Sequence, residues 1–105
     1  MSEIRYLTEE TYKSTLETEA AVVVDFYADW CGPCKSMIPI YDACCADYPS
    51  VAFCKVNVDD HKKLAIQNRV LGIPCFMFFK NGTMVKRIDG AVDETAFREA
   101  VQTLL

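Results

Sequence analysis

Histidine is nearly missing from this chain: His61 is the only one in 105 residues. No multi-histidine metal site can be built, and any imidazole-dependent catalysis rests on that one side chain. Glycine and proline number four each and tryptophan one, which excludes collagen-like, low-complexity and disordered classes. No apolar run approaches the roughly 20 residues that a membrane-spanning helix needs. Basic residues are short too, 11 against 15 acidic ones for a net charge of −4, which argues against nucleic acid and anionic membrane as partners. Met1-Ser2-Glu3-Ile4-Arg5 lacks a basic segment followed by an apolar run, so no secretory signal is visible, although a mature chain can have lost one.

What is abundant is apolar: 51% of the residues are hydrophobic and 25% charged, a composition expected of one domain over residues 1–105 with a good core. Six cysteines pull two ways. An even count in a short chain can mean a secreted disulfide scaffold, but such scaffolds compensate for poor cores. A reducing, cytoplasmic setting with free thiols is therefore expected.

Apolar runs alternate with helical patterns, as in an α/β protein. A short strand is expected near residues 4–7. Thr8 can then cap a helix whose first turn carries Glu9 and Glu10, with Tyr12 and Leu16 on one face. The continuous run Ala21-Val22-Val23-Val24-Asp25-Phe26-Tyr27 predicts a central strand covered on both faces. Met37, Ile40, Tyr41, Cys44, Cys45 and Tyr48 predict a second helix, kinked at Pro39, which lacks an amide hydrogen and clashes with the preceding turn. Residues 51–58 predict a strand, and Asp59 or Asp60 a cap for a short helix through Leu64 to Asn68. Asn81-Gly82 predicts a hairpin between antiparallel strands over 75–80 and 83–88. Asp93 caps a last helix with a stripe of Phe97, Ala100, Val101, Leu104 and Leu105. The expected order is βαβαβαββα, a central mixed sheet with helices on both faces.

Chemistry is concentrated in Trp30-Cys31-Gly32-Pro33-Cys34-Lys35, where a central strand gives way to a helix. Two cysteines three positions apart in a first helical turn have alpha carbons roughly 5 to 6 Å apart, the span a disulfide requires. Unpaired amide hydrogens and the positive end of the helix dipole would stabilise a thiolate on Cys31, the attacking species. Cys34, one turn deeper and expected to be less accessible, suits the resolving role. Pro33 stiffens the pair by fixing its φ near the helical value. The alternative is half of a structural zinc site, but the remaining cysteines fall in a helix (Cys44, Cys45) or in strands (Cys54, Cys75) without a second pair at that spacing.

Over essentially its full length the chain resembles the thioredoxin family. The likeness lies in the element order, in Asp25-Phe26-Tyr27-Ala28-Asp29-Trp30-Cys31-Gly32-Pro33-Cys34-Lys35, in Lys55-Val56-Asn57-Val58-Asp59, in Gly72-Ile73-Pro74 and in Phe78-Phe79-Lys80-Asn81-Gly82. Each motif is modest alone, and together in this order they are specific. The general rule that a cytosolic CxxC beside a βαβ pattern is redox-active is itself drawn from such proteins and adds no independent weight. The resemblance implies a thioredoxin fold and a protein-disulfide reductase that takes part in electron transport and cell redox homeostasis. In it Cys31 is the nucleophile, Cys34 the resolving thiol and Gly32-Pro33 the spacer of reducing members. Asp25 matches a buried acid beneath the pair, the alternative being a strand-end carboxylate facing water. Lys55 matches a lysine near that acid, the alternative being an outward strand residue. Pro74 matches a cis-proline facing the disulfide, and Trp30, Ile73, Gly90 and Ala91 a shallow docking surface for extended substrates.

The same resemblance implies no bound cofactor or metal, with NADPH acting indirectly through a flavoprotein thioredoxin reductase, and peroxiredoxin and ribonucleotide reductase among the clients of a monomer. Gly72, Gly82 and Gly90 form no nucleotide-binding signature, so reducing power must arrive by protein contact. Cys75 stands where family members commonly carry threonine. It is read either as a regulatory thiol, open to glutathionylation or dimer formation, or as a small strand residue. Cys44, Cys45 and Cys54 are expected to pack; His61, Asp59, Asp60, Glu94 and Glu99 are expected to be solvated or capping. Two rivals remain: a glutaredoxin- or isomerase-like oxidoreductase, and a non-catalytic binding module of the same fold.

Overall fold

The computed structural model describes residues 3–105. Five strands form one mixed sheet in the order β1-β3-β2-β4-β5: β1 (Arg5–Tyr6), β2 (Ala21–Tyr27), β3 (Ala52–Asn57), β4 (Cys75–Lys80) and β5 (Thr83–Asp89). β1, β3 and β2 run parallel, whereas β4 is antiparallel to both β2 and β5. The helices are α1 (Glu9–Thr18), α2 (Gly32–Ser36), α3 (Ile38–Asp47), α4 (Lys62–Gln67) and α5 (Glu94–Gln102). This is the expected thioredoxin fold. None of the helices is long and apolar enough to cross a membrane among the described residues.

β2 is buried almost throughout, and its alternation divides the core. Ala21 and Val23 face α3 and α5, where Tyr41, Phe53, Phe76, Phe78 and Phe97 pack. Val22, Val24 and Phe26 face the opposite layer with Tyr12 of α1, Leu64 of α4 and Met77. The two edges of the sheet differ: β1 has two residues, whereas the seven-residue β5 is largely exposed and carries Lys86 and Arg87, with a register shift opposite it between Phe78 and Phe79.

Two expectations need correction. The second helix is not kinked at Pro39 but divided at Met37, which ends α2 and caps α3. Proline cannot bond to the carbonyl four residues earlier; with a new helix starting at Ile38, Pro39 falls in the first turn, where its missing amide hydrogen leaves nothing unpaired. The cap of α4 is His61, not Asp59 or Asp60. The Asn57 side-chain oxygen accepts from both aspartate amides (2.9 and 3.3 Å), so that turn is closed before the helix begins.

Candidate active site

β2 delivers the chain to the site. Beyond its end, the Cys31 amide bonds to the Ala28 carbonyl (3.2 Å), Cys31 caps α2, and its sulfur accepts the Cys34 amide hydrogen at 3.2 Å. Gly32 and Pro33 are the first two residues of that helix, and Cys31 and Cys34 are joined as a disulfide with alpha carbons 5.2 Å apart. Accessibility does not separate the two sulfurs as expected: Cys31 is 4% and Cys34 5% exposed. Their surroundings do. Cys31 lines an open, mostly apolar groove of about 450 Å³ with Trp30, Gly32, Pro33, Leu71 and Ile73. Cys34 lines a smaller recess of about 200 Å³ on the other side, with Tyr27, Lys35 and Lys55.

Asp25 lies on the β2 face shared with Val23, and the parallel register sets it directly beside Lys55 of β3. Both are buried, with Lys55 Nζ 3.9 Å from Asp25 Oδ2. The lysine is therefore inward, its ammonium also 5.1 Å from the centre of the Tyr27 ring and 5.6 Å from that of Tyr41. Burial raises the Asp25 carboxyl to about 7 against the pull of Lys55 toward ionisation, and its Oδ1 has no hydrogen-bond partner among the described residues. The acid thus changes protonation near neutral pH.

The peptide bond between Ile73 and Pro74 is cis, and the Ile73 carbonyl oxygen lies 3.8 Å from the Cys31 sulfur. Gly90, at φ +94°, donates its amide hydrogen to the Pro74 carbonyl at 2.8 Å and borders a second depression beside Leu71 and Ile73. Trp30 is 70% exposed, and its indole nitrogen donates to Asp59 Oδ2 at 2.8 Å. Ala91 is exposed next to Gly90 but lines neither depression.

Sequence reasoning missed three contributors. Asp59, read as solvated surface, orients Trp30. Val70 and Leu71 form the groove wall opposite it, with Leu71 99% exposed. The available signal was an apolar pair just before Gly72-Ile73-Pro74, which reads equally well as a helix end.

Cys44 and Cys45 pack in the α3 and α5 layer, Cys54 and Cys75 in the opposite one, and all four are free. They form no second pair for the zinc alternative; among the described residues no three metal-ligating side chains cluster. Cys75 is fully buried, and burial raises its thiol to about 11, with Arg87 pulling the other way; burial likewise raises Cys54 to about 12. This geometry favours the small-strand-residue reading of Cys75. In the reduced, folded protein, iodoacetamide is expected to modify the Cys31/Cys34 pair and leave the other four intact until denaturant is added, as read by peptide mass spectrometry. Rapid labelling of Cys75 in the native state would restore the regulatory reading.

A sulfur pair that opens and closes within one helical turn is the working part of a thiol–disulfide oxidoreductase, and this protein is one. The Thioredoxin family model matches residues 3–103, and the chain belongs to that family. It is 36% identical to Thioredoxin-1 of Saccharomyces cerevisiae, over 92% of this chain and 93% of that one. It is 35% identical to the chloroplastic Thioredoxin M-type of Spinacia oleracea, over 100% of this chain but only 59% of the spinach protein's length. A solved structure described as the basis of thiol resolution in yeast mitochondrial 1-Cys peroxiredoxin via glutathione/thioredoxin systems superposes with a TM-score of 0.91. It is 32% identical, covering 98% of this chain and 99% of that one. Family and site together make this protein a protein-disulfide reductase with a redox-active Cys31–Cys34 pair.

Proposed function

We propose that the whole chain, residues 1–105, is one domain working as a monomeric cytoplasmic electron carrier between a thioredoxin reductase and disulfide-containing clients. The Cys31 thiolate attacks one client sulfur, breaking the client disulfide, forming a mixed disulfide and releasing the second client sulfur as a thiolate that takes up a proton. Cys34 then loses its proton and attacks the Cys31 sulfur. The intramolecular bond forms, and the first client sulfur leaves with its electron pair. The client gains two electrons and the dithiol loses them.

Asp25 serves as proton acceptor for Cys34, with Lys55 holding the carboxylate once it ionises. Gly32 and Pro33 keep the sulfur spacing, Pro74 faces the pair, and Trp30, Ile73 and Gly90 border the docking surface, with Ala91 exposed beside Gly90 at its margin. The observation that carries this reading is that Cys31 lines the apolar groove, beside the Ile73 carbonyl that an extended client can pair with. Peroxiredoxin is supported as a client by the description of the yeast mitochondrial structure. Ribonucleotide reductase follows from the family resemblance, as do NADPH as the indirect electron source and the part in electron transport. The four buried free thiols favour a reducing compartment.

The test is insulin-disulfide reduction fed either by NADPH with thioredoxin reductase or by NADPH with glutathione and glutathione reductase. Rapid turnover is expected only in the first. Faster turnover in the second would replace this reading with a glutaredoxin-like one.

A further inference from the structure

We propose that Arg87 is a positioning residue for client docking, because its guanidinium suspends the groove wall at residues 70–73 from β5. α4 ends at Gln67, and the chain leaves it through Arg69 at φ +56°, a left-handed conformation that favours glycine. The amide of Arg69 bonds to the Ile66 carbonyl (3.0 Å) and that of Val70 to the Ala65 carbonyl (2.9 Å), which reverses the chain toward Leu71. This turn leaves the Asn68 and Arg69 carbonyls pointing off the helix end.

Arg87 takes both. Its Nη1 donates to the Asn68 oxygen at 3.2 Å and its Nη2 to the Arg69 oxygen at 2.9 Å, while Nε faces the Asp89 carboxylate at 3.1 and 3.3 Å. No other side chain bonds to those two carbonyls among the described residues. The planar fork uses three directions at once, which a lysine ammonium on a flexible stem cannot reproduce. Arg87 itself is fixed, paired in register with Met77 of β4. The wall it supports carries Leu71 and Ile73, which line the groove on one side and, together with Arg87 and Asp89 themselves, the Gly90 depression on the other. If the fork is lost, the docking-competent arrangement becomes one of several, and apparent client affinity falls by the fraction of time it is absent.

The inference rests on the reduction of protein disulfides. Its test uses the pre-reduced full chain in single turnover, with insulin as the client and 5,5′-dithiobis(2-nitrobenzoate) as a small disulfide that needs no groove wall. For Arg87→Ala, the half-saturating insulin concentration is expected to rise about 5-fold, with the limiting rate and the small-disulfide rate within about two-fold of wild type. Amide hydrogen exchange should quicken at residues 69–73 and not in β4. Arg87→Lys should fall between, and it carries the test if the alanine variant does not fold. An unchanged half-saturation, or an equal loss toward both disulfides, overturns the proposal. Failure of the underlying activity would show differently, as wild-type protein inert toward both.

Discussion

Reduced Cys34→Ser protein mixed with a protein disulfide such as insulin is expected to stop at a covalent adduct through Cys31, visible by non-reducing electrophoresis and released by dithiothreitol. Cys31→Ser protein should form no adduct and lose turnover by more than about 10³-fold, since the attacking group is gone rather than merely the second step. The asymmetry follows from the two sides of the helix start. The Cys31 sulfur opens on the Trp30 groove, where an extended chain can lie against the Ile73 carbonyl, whereas Cys34 opens on the recess it shares with Lys55. The groove at Cys31, about 450 Å³, gives a client disulfide more room than the recess of about 200 Å³ at Cys34. An adduct forming on Cys34 in the Cys31→Ser protein, and none in the reciprocal variant, would reverse the assignment.

Neutralising Asp25 should have opposite effects on stability and on activity. In the unfolded chain this carboxyl ionises near the ordinary value of 3.8, whereas burial in the folded protein holds the proton on to about 7. Between those values the folded state binds more protons than the unfolded one, so stability falls as pH rises through the window and levels off above about 7. The ionised group then destabilises the fold by on the order of 4 kcal/mol. Asp25→Asn is therefore expected to be more stable than wild type at pH 8 by up to roughly that amount, and nearly equal to it at pH 4, in urea titrations. Turnover should fall about 10²-fold at neutral pH and lose its inflection near pH 7, because the variant lacks the carboxylate proposed to accept the resolving thiol's proton. A variant less stable than wild type at pH 8 would show that the Lys55 attraction outweighs burial.

Much of this site was legible in the sequence because it is local. Cys31 and Cys34 share one helical turn, and the apolar run around Asp25 marks a strand covered on both faces, so an acid inside it faces protein. Lys55 was undecidable because its direction depends on strand register: only the parallel pairing of β2 with β3 sets it beside Asp25. Asp59 and Arg87 were invisible for a related reason. Their partners, the Trp30 indole 29 positions away and the Arg69 carbonyl 18 positions away, are brought near by folding and leave no periodic trace. The break at Met37 shows a different shortfall. Proline's geometry interrupts a continuous helix, and a helix that restarts one residue before it resolves the conflict as well as a bend does.

The margins of the sheet acquire a meaning from this chemistry. A carrier that holds oxidised, extended segments of other proteins against its surface works among chains ready to add strands to any open border. With only two residues on one border and two consecutive cations on the other, it gives such visitors less to zip onto than a long uncharged edge would.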